Sequence, residues 1–156
     1  MKLKMALIGL LVGIGIATAQ PLAWFVQDFE SFAPGRYKTL IYTADGVDVT
    51  MSGVHGPFTI GDGMLSPGGG KSATVLFAFS DTIHGITADL FSECGRLSSV
   101  AVLSCFDVSG NRLFTLTNKG RPCNQLTRTG ASILGERIIA SCEASGGLFD
   151  NIIVEP

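Results

Sequence analysis

From about residue 23 onward, no stretch of this chain repeats its apolar residues with a helical period. Short runs rich in Val, Ile, Phe, Thr and Tyr alternate with turn-forming residues instead. Runs of roughly 4–8 such residues bounded by Gly, Asn, Asp, Ser and Pro are the pattern of strands with one face buried. It predicts strands near 23–30, 36–43, 46–52, 72–79, 84–91, 98–107, 112–117, 136–142 and 148–154. Ala44-Asp45-Gly46 and the loop from Asp107 to Asn111 carry hairpin turn chemistry, and Ser145-Gly146-Gly147 joins the last two runs. The expected fold class is all-β, an antiparallel β-sandwich.

The length, 156 residues with 15% charged, suits one domain with a real core rather than a disordered chain or a helical bundle. The beginning reads as a separate object. Lys2 and Lys4 precede an apolar run from Met5 to Ala17, and Ala17-Thr18-Ala19 is a small-x-small cleavage signature. Residues 1–19 are thus expected to be a signal peptide, too short in its apolar run to cross a bilayer, and 20–156 a single domain with no membrane span. The expected product is secreted or periplasmic. Without Lys2 and Lys4, 9 basic side chains face 13 acidic ones, and no Lys/Arg cluster offers a surface for nucleic acid.

Gly68-Gly69-Gly70-Lys71-Ser72 has the look of a phosphate-binding loop. Such a loop needs a glycine five positions before its Gly-Lys-Ser, where this chain has Leu65, and a helix after it to receive phosphate. Ala73 to Phe79 is a β-branched and aromatic run, so the stretch is a turn leading into a strand.

Cys94, Cys105, Cys123 and Cys142 are an even set in a chain read as exported, with no Cys-x-x-Cys pair to suggest zinc or redox chemistry. Two disulfides are expected. If the strands around them run alternately up and down, Cys94 and Cys123 fall at one end of the sandwich and Cys105 and Cys142 at the other. That polarity pairs Cys94 with Cys123 and Cys105 with Cys142.

The two ends carry the most informative pattern, with Asp28 and Glu30 in one terminal run and Asp150 in the other. A strand would place Asp28 and Glu30 on one face, and pairing of the terminal strands would bring Asp150 to them, a set of hard oxygen donors suited to Ca²⁺. Asp28-Phe29-Glu30, Phe149-Asp150-Asn151-Ile152 and the short strands between them resemble the jelly-roll, galactose-binding-like domains of carbohydrate-binding modules and exported bacterial proteins. The resemblance implies a structural calcium ion at the terminal strands and a ligand on a sheet face or in the loops at one end. Val26-Gln27 stands where such modules often carry Asn-Gly.

Sugar recognition uses flat aromatic faces with a few polar groups, and Trp24 and Tyr42 are the candidate platforms. His55 and His84 are the only histidines, and no motif sets either beside a nucleophile, so no catalysis is expected. The function expected is noncatalytic recognition of a carbohydrate or cell-surface component. The alternative is a structural or protein-interaction sandwich with no small ligand.

Overall fold

The structure, a computed structural model, describes residues 25–44, 46–68, 73–92, 100–119, 124–133 and 138–155. The expected leader, Trp24, Cys94 and Cys123 lie outside the described residues. Among the described residues thirteen strands follow one another: β1 (Phe25–Gln27), β2 (Gly35–Tyr37), β3 (Thr39–Ala44), β4 (Val47–Gly53), β5 (Phe58–Gly61), β6 (Met64–Ser66), β7 (Thr74–Ile83), β8 (Gly85–Phe91), β9 (Val102–Phe106), β10 (Arg112–Thr117), β11 (Leu126–Ser132), β12 (Ile139–Ser145) and β13 (Leu148–Glu155). One short 3₁₀ turn, Phe29–Ser31, separates β1 from β2.

The strands form two antiparallel sheets, a sandwich of jelly-roll type. Sheet A runs β11-β8-β13-β6-β5-β2, with β1 paired to the Ile152–Val154 part of β13, and sheet B runs β10-β9-β12-β7-β4-β3. Alternation decides what each sheet buries. In β4, Val47, Val49 and Met51 face inward while Asp48 and Thr50 do not, and Ile86, Ala88 and Leu90 do the same in β8. Phe77 from sheet B and Phe149 from sheet A are fully buried between the sheets. Each such side chain stabilises the fold by about 1.5–3 kcal/mol relative to leaving it exposed.

β13 breaks the alternation once. Phe149, Ile152 and Val154 all face the core, which a regular period of two forbids. The register to β8 shifts between Asp150 and Ile153, and Asn151 sits there with φ 44°, so a β-bulge absorbs the extra residue. A second special position lies where the chain leaves sheet B for sheet A. Gly147 has φ 43°, and a Cβ there would stand 2.4 Å from the carbonyl oxygen of Phe91, so only glycine fits.

Several sequence expectations are corrected. The first run does not extend to residue 30: β1 stops at Gln27, and Asp28 caps the 3₁₀ turn by accepting hydrogen bonds from the backbone N–H groups of Glu30 and Ser31. The run 36–43 is two strands in different sheets, crossing at Lys38. Strands β5, β6 and β11 were not anticipated. The glycine-rich stretch after β6 does lead into strand β7, so no helix follows it to receive phosphate.

Cys105 and Cys142 are joined in a disulfide, the pairing that strand polarity predicts. They are directly opposed neighbours on β9 and β12 in sheet B, both fully buried, with Cα atoms 4.2 Å apart. Among the described residues no helix is long and apolar enough to cross a membrane.

Candidate functional site

The residues of β8 that point away from the core are Thr87, Asp89 and Phe91, because Ile86, Ala88 and Leu90 occupy the inward positions. Register carries that outward face across three strands. Phe91 stands opposite Leu126 on β11 and Leu148 on β13, which makes an apolar row. One step along, Asp89 stands opposite Arg128 on one side and Asp150 on the other, which makes a charged row. Phe91 and Leu148 are half-buried, and Leu126 is exposed.

Asp89 is the one charged side chain that is buried among the described residues, 2% exposed although it lies on the outward face. Burying a carboxylate is costly unless it is paired and hydrogen-bonded. Arg128 supplies both: Nε donates to Oδ1 at 2.7 Å and Nη2 donates to Oδ2 at 2.8 Å, a two-toothed pair of fixed plane. The Arg128 side chain is itself 59% exposed. Its guanidinium is therefore held still from below while its remaining N–H groups face solvent.

Two carboxylates directly opposite on neighbouring strands repel. Asn151 relieves this: Nδ2 donates to Asp89 Oδ2 at 2.9 Å and to Asp150 Oδ2 at 3.2 Å, and its backbone N–H donates to Asp150 Oδ1 at 2.7 Å. The bulge is what puts an amide side chain beside both acids. The hydrogen bonds from Arg128 hold the Asp89 carboxyl below its ordinary range, helped by Asn151 and opposed by burial, and the same pairing raises Arg128.

The residues expected from the sequence sit elsewhere. Tyr42 lies on the inward side of β3, opposite Val49, with its ring packed on Phe32 at 5.4 Å. Burial pushes its phenol well above the usual range, and its ring is taken up by the core instead of standing free as a sugar platform. Asp28 and Glu30 are exposed at the 3₁₀ turn, and the Glu30 side chain lies over Gly63 in the β5–β6 turn. Asp150 is engaged with Asn151 on the sheet A face. Among the described residues no three His, Cys, Asp or Glu are grouped as ligands for one ion, so the structure does not gather the side chains of Asp28, Glu30 and Asp150 into one set. The backbone of His84 is tied to Glu155 and Ile133 where β8 begins.

Asp89, Arg128, Phe91 and Asn151 escaped the sequence reading. One signal was present: a lone carboxylate inside the otherwise apolar or small run Gly85–Phe91. Its partner, 39 residues further on, is brought to it only by strand register.

No protein-family model matches the chain, and no curated protein does. Among solved structures it is similar to a mutant of a carbohydrate-binding module of family 29, with 8% identity over 85% of this chain and 90% of that one, at a TM-score of 0.44. A second family 29 module mutant, complexed with mannohexaose, shares 9% identity over 85% of this chain and 90% of that one, at a TM-score of 0.39. The family 11 carbohydrate-binding module from Clostridium thermocellum, in complex with a β-1,3-1,4-mixed-linked tetrasaccharide, shares 12% identity over 87% of this chain and 97% of that one, at a TM-score of 0.38.

Proposed function

We propose that this protein is a secreted, noncatalytic binding module that takes a carbohydrate on the outward face of β11, β8 and β13. The observation that carries the proposal is the Arg128 guanidinium, pinned by buried Asp89 and lying one row from Leu126, Phe91 and Leu148. A sugar ring has an apolar C–H face and an edge of hydroxyls. The apolar row suits the first, and fixed donors and acceptors suit the second. Hydroxyl oxygens accept from the free N–H groups of Arg128, and hydroxyl hydrogens are donated to the oxygens of Asp150 or Asn151. Because Asp89 already holds the guanidinium, little side-chain freedom is lost on binding. The leader read in the sequence and the Cys105–Cys142 disulfide support an exported product.

Retardation of the oxidised protein in native gels containing dissolved polysaccharides tests the proposal. The wild type is expected to be slowed by at least one polysaccharide. Phe91→Ala and Arg128→Lys are expected to weaken retention about tenfold or more. Lysine keeps a charge beside Asp89 but not the planar fork, so the fold survives and the aimed donors are lost. Retention unchanged in both variants would move the binding surface off this face.

A further inference from the structure

The charges on this face are unbalanced, and the imbalance bears on which glycan it takes. Arg128 is the one basic side chain on the outward face of β11, β8 and β13 among the described residues, and both of its bonded N–H groups are committed to Asp89. Asp150 lies next to that pair, held by the neutral amide of Asn151. Two rows further along, Glu155 stands opposite Gly85, which in turn stands opposite Ser132. Gly85 has no side chain there, and the Glu155 carboxylate lies over it, 2.6 Å from where a Cβ would be, reaching Ser132 Oγ, which donates to Oε2 at 3.3 Å. Among the described residues Arg128–Asp89 is the only salt bridge, and Arg128 also feels the charge of Asp150, so one guanidinium stands against the carboxylates of Asp89, Asp150 and Glu155.

Resting on the carbohydrate-binding reading above, we infer that this face selects uncharged glycans and rejects acidic ones, with Asp150 as a specificity-determining residue. A uronate or sulfate brought onto Phe91 would meet Asp150 in the next row and Glu155 beyond it, with the one guanidinium already neutralised by Asp89. Like charges a few ångströms apart at a protein surface disfavour binding on the order of tenfold. A neutral sugar meets the same groups as hydrogen-bond acceptors and incurs no such repulsion.

The test compares retention of the oxidised protein on beads carrying a neutral mannan or β-glucan with retention on beads carrying polygalacturonate, at low ionic strength. The wild type is expected on the neutral beads and not on the acidic ones. Asp150→Asn is expected to raise the acidic-to-neutral ratio on the order of tenfold, and Glu155→Gln to raise it less. Glu155→Gln keeps the test open if Asp150→Asn fails to fold. Wild-type retention on the acidic beads, or a ratio that neither variant moves, would overturn the selection while leaving glycan recognition standing. Retention on neither kind of bead would remove recognition, and the selection with it.

Discussion

Asp89 occupies an outward position on its strand and yet is buried, because Arg128 and Asn151 close over it. The pair is worth more as a fixed donor array than as a strut, since the arginine is largely exposed and solvent screens it. Its pH dependence has a definite sign. The carboxyl is held below its unfolded value of about 3.9, so its stabilisation is complete above that value and is lost as pH falls below about 4 toward the folded pKa. Asp89→Asn should therefore flatten the acid side of a plot of Tm against pH, measured by thermal melts from neutral pH downward. An acid limb identical to the wild type would show that Asp89 is not held in this way. Phe91 makes a separate prediction at the same scale: replacement by alanine should cut glycan retention while lowering Tm only modestly, because the ring is half-buried on the outward face.

Among the elements, the long strands with buried alternation were legible and the short or polar ones were not. Val47–Gly53 and Gly85–Phe91 announce themselves through apolar residues two apart, and Leu148–Glu155 through its density of Leu, Phe, Ile and Val despite the bulge. β5 and β6 have only four and three residues around Asp62-Gly63, whose φ values of 52° and 72° suit a tight hairpin turn, so each run is too short to show a period. β11, Leu126–Ser132, is an edge strand with alternate residues exposed and a glycine in its middle, so its pairing with β8 leaves little trace in composition. The 36–43 run reads as continuous because nothing local distinguishes a strand from two strands that change sheets at Lys38. The candidate site was invisible for the same reason: it exists only where register aligns β11, β8 and β13. One link between elements is testable directly. Gly147→Ala forces a Cβ to within 2.4 Å of the Phe91 carbonyl oxygen at a left-handed φ, and should destabilise by roughly 1–3 kcal/mol in denaturant unfolding. A change well under 1 kcal/mol would mean that the β12–β13 crossing can shift to make room.

For the molecule as a whole, the Cys105–Cys142 bond ties β9 to β12 across a sequence separation of 37, deep in sheet B and apart from the proposed binding face. Replacing both cysteines by alanine should cost about 2–5 kcal/mol of stability and leave glycan affinity unchanged once the protein is folded. With Cys105 and Cys142 joined, we propose that Cys94 and Cys123 pair with each other, so that a non-reducing peptide map finds them linked; free thiols at both would refute it. The two outward faces of the sandwich make competing claims on a ligand. Sheet B presents Ser104 opposite Thr115 and Glu143, while sheet A presents Phe91 and the Arg128–Asp89 pair. The most direct measurement is a titration of the oxidised, isotopically labelled protein with a soluble neutral oligosaccharide, following backbone amide shifts. Saturable shifts centred on Phe91, Leu126, Arg128 and Leu148 are the predicted result, and shifts centred on Ser104 and Glu143, or none with any neutral glycan, would contradict the account.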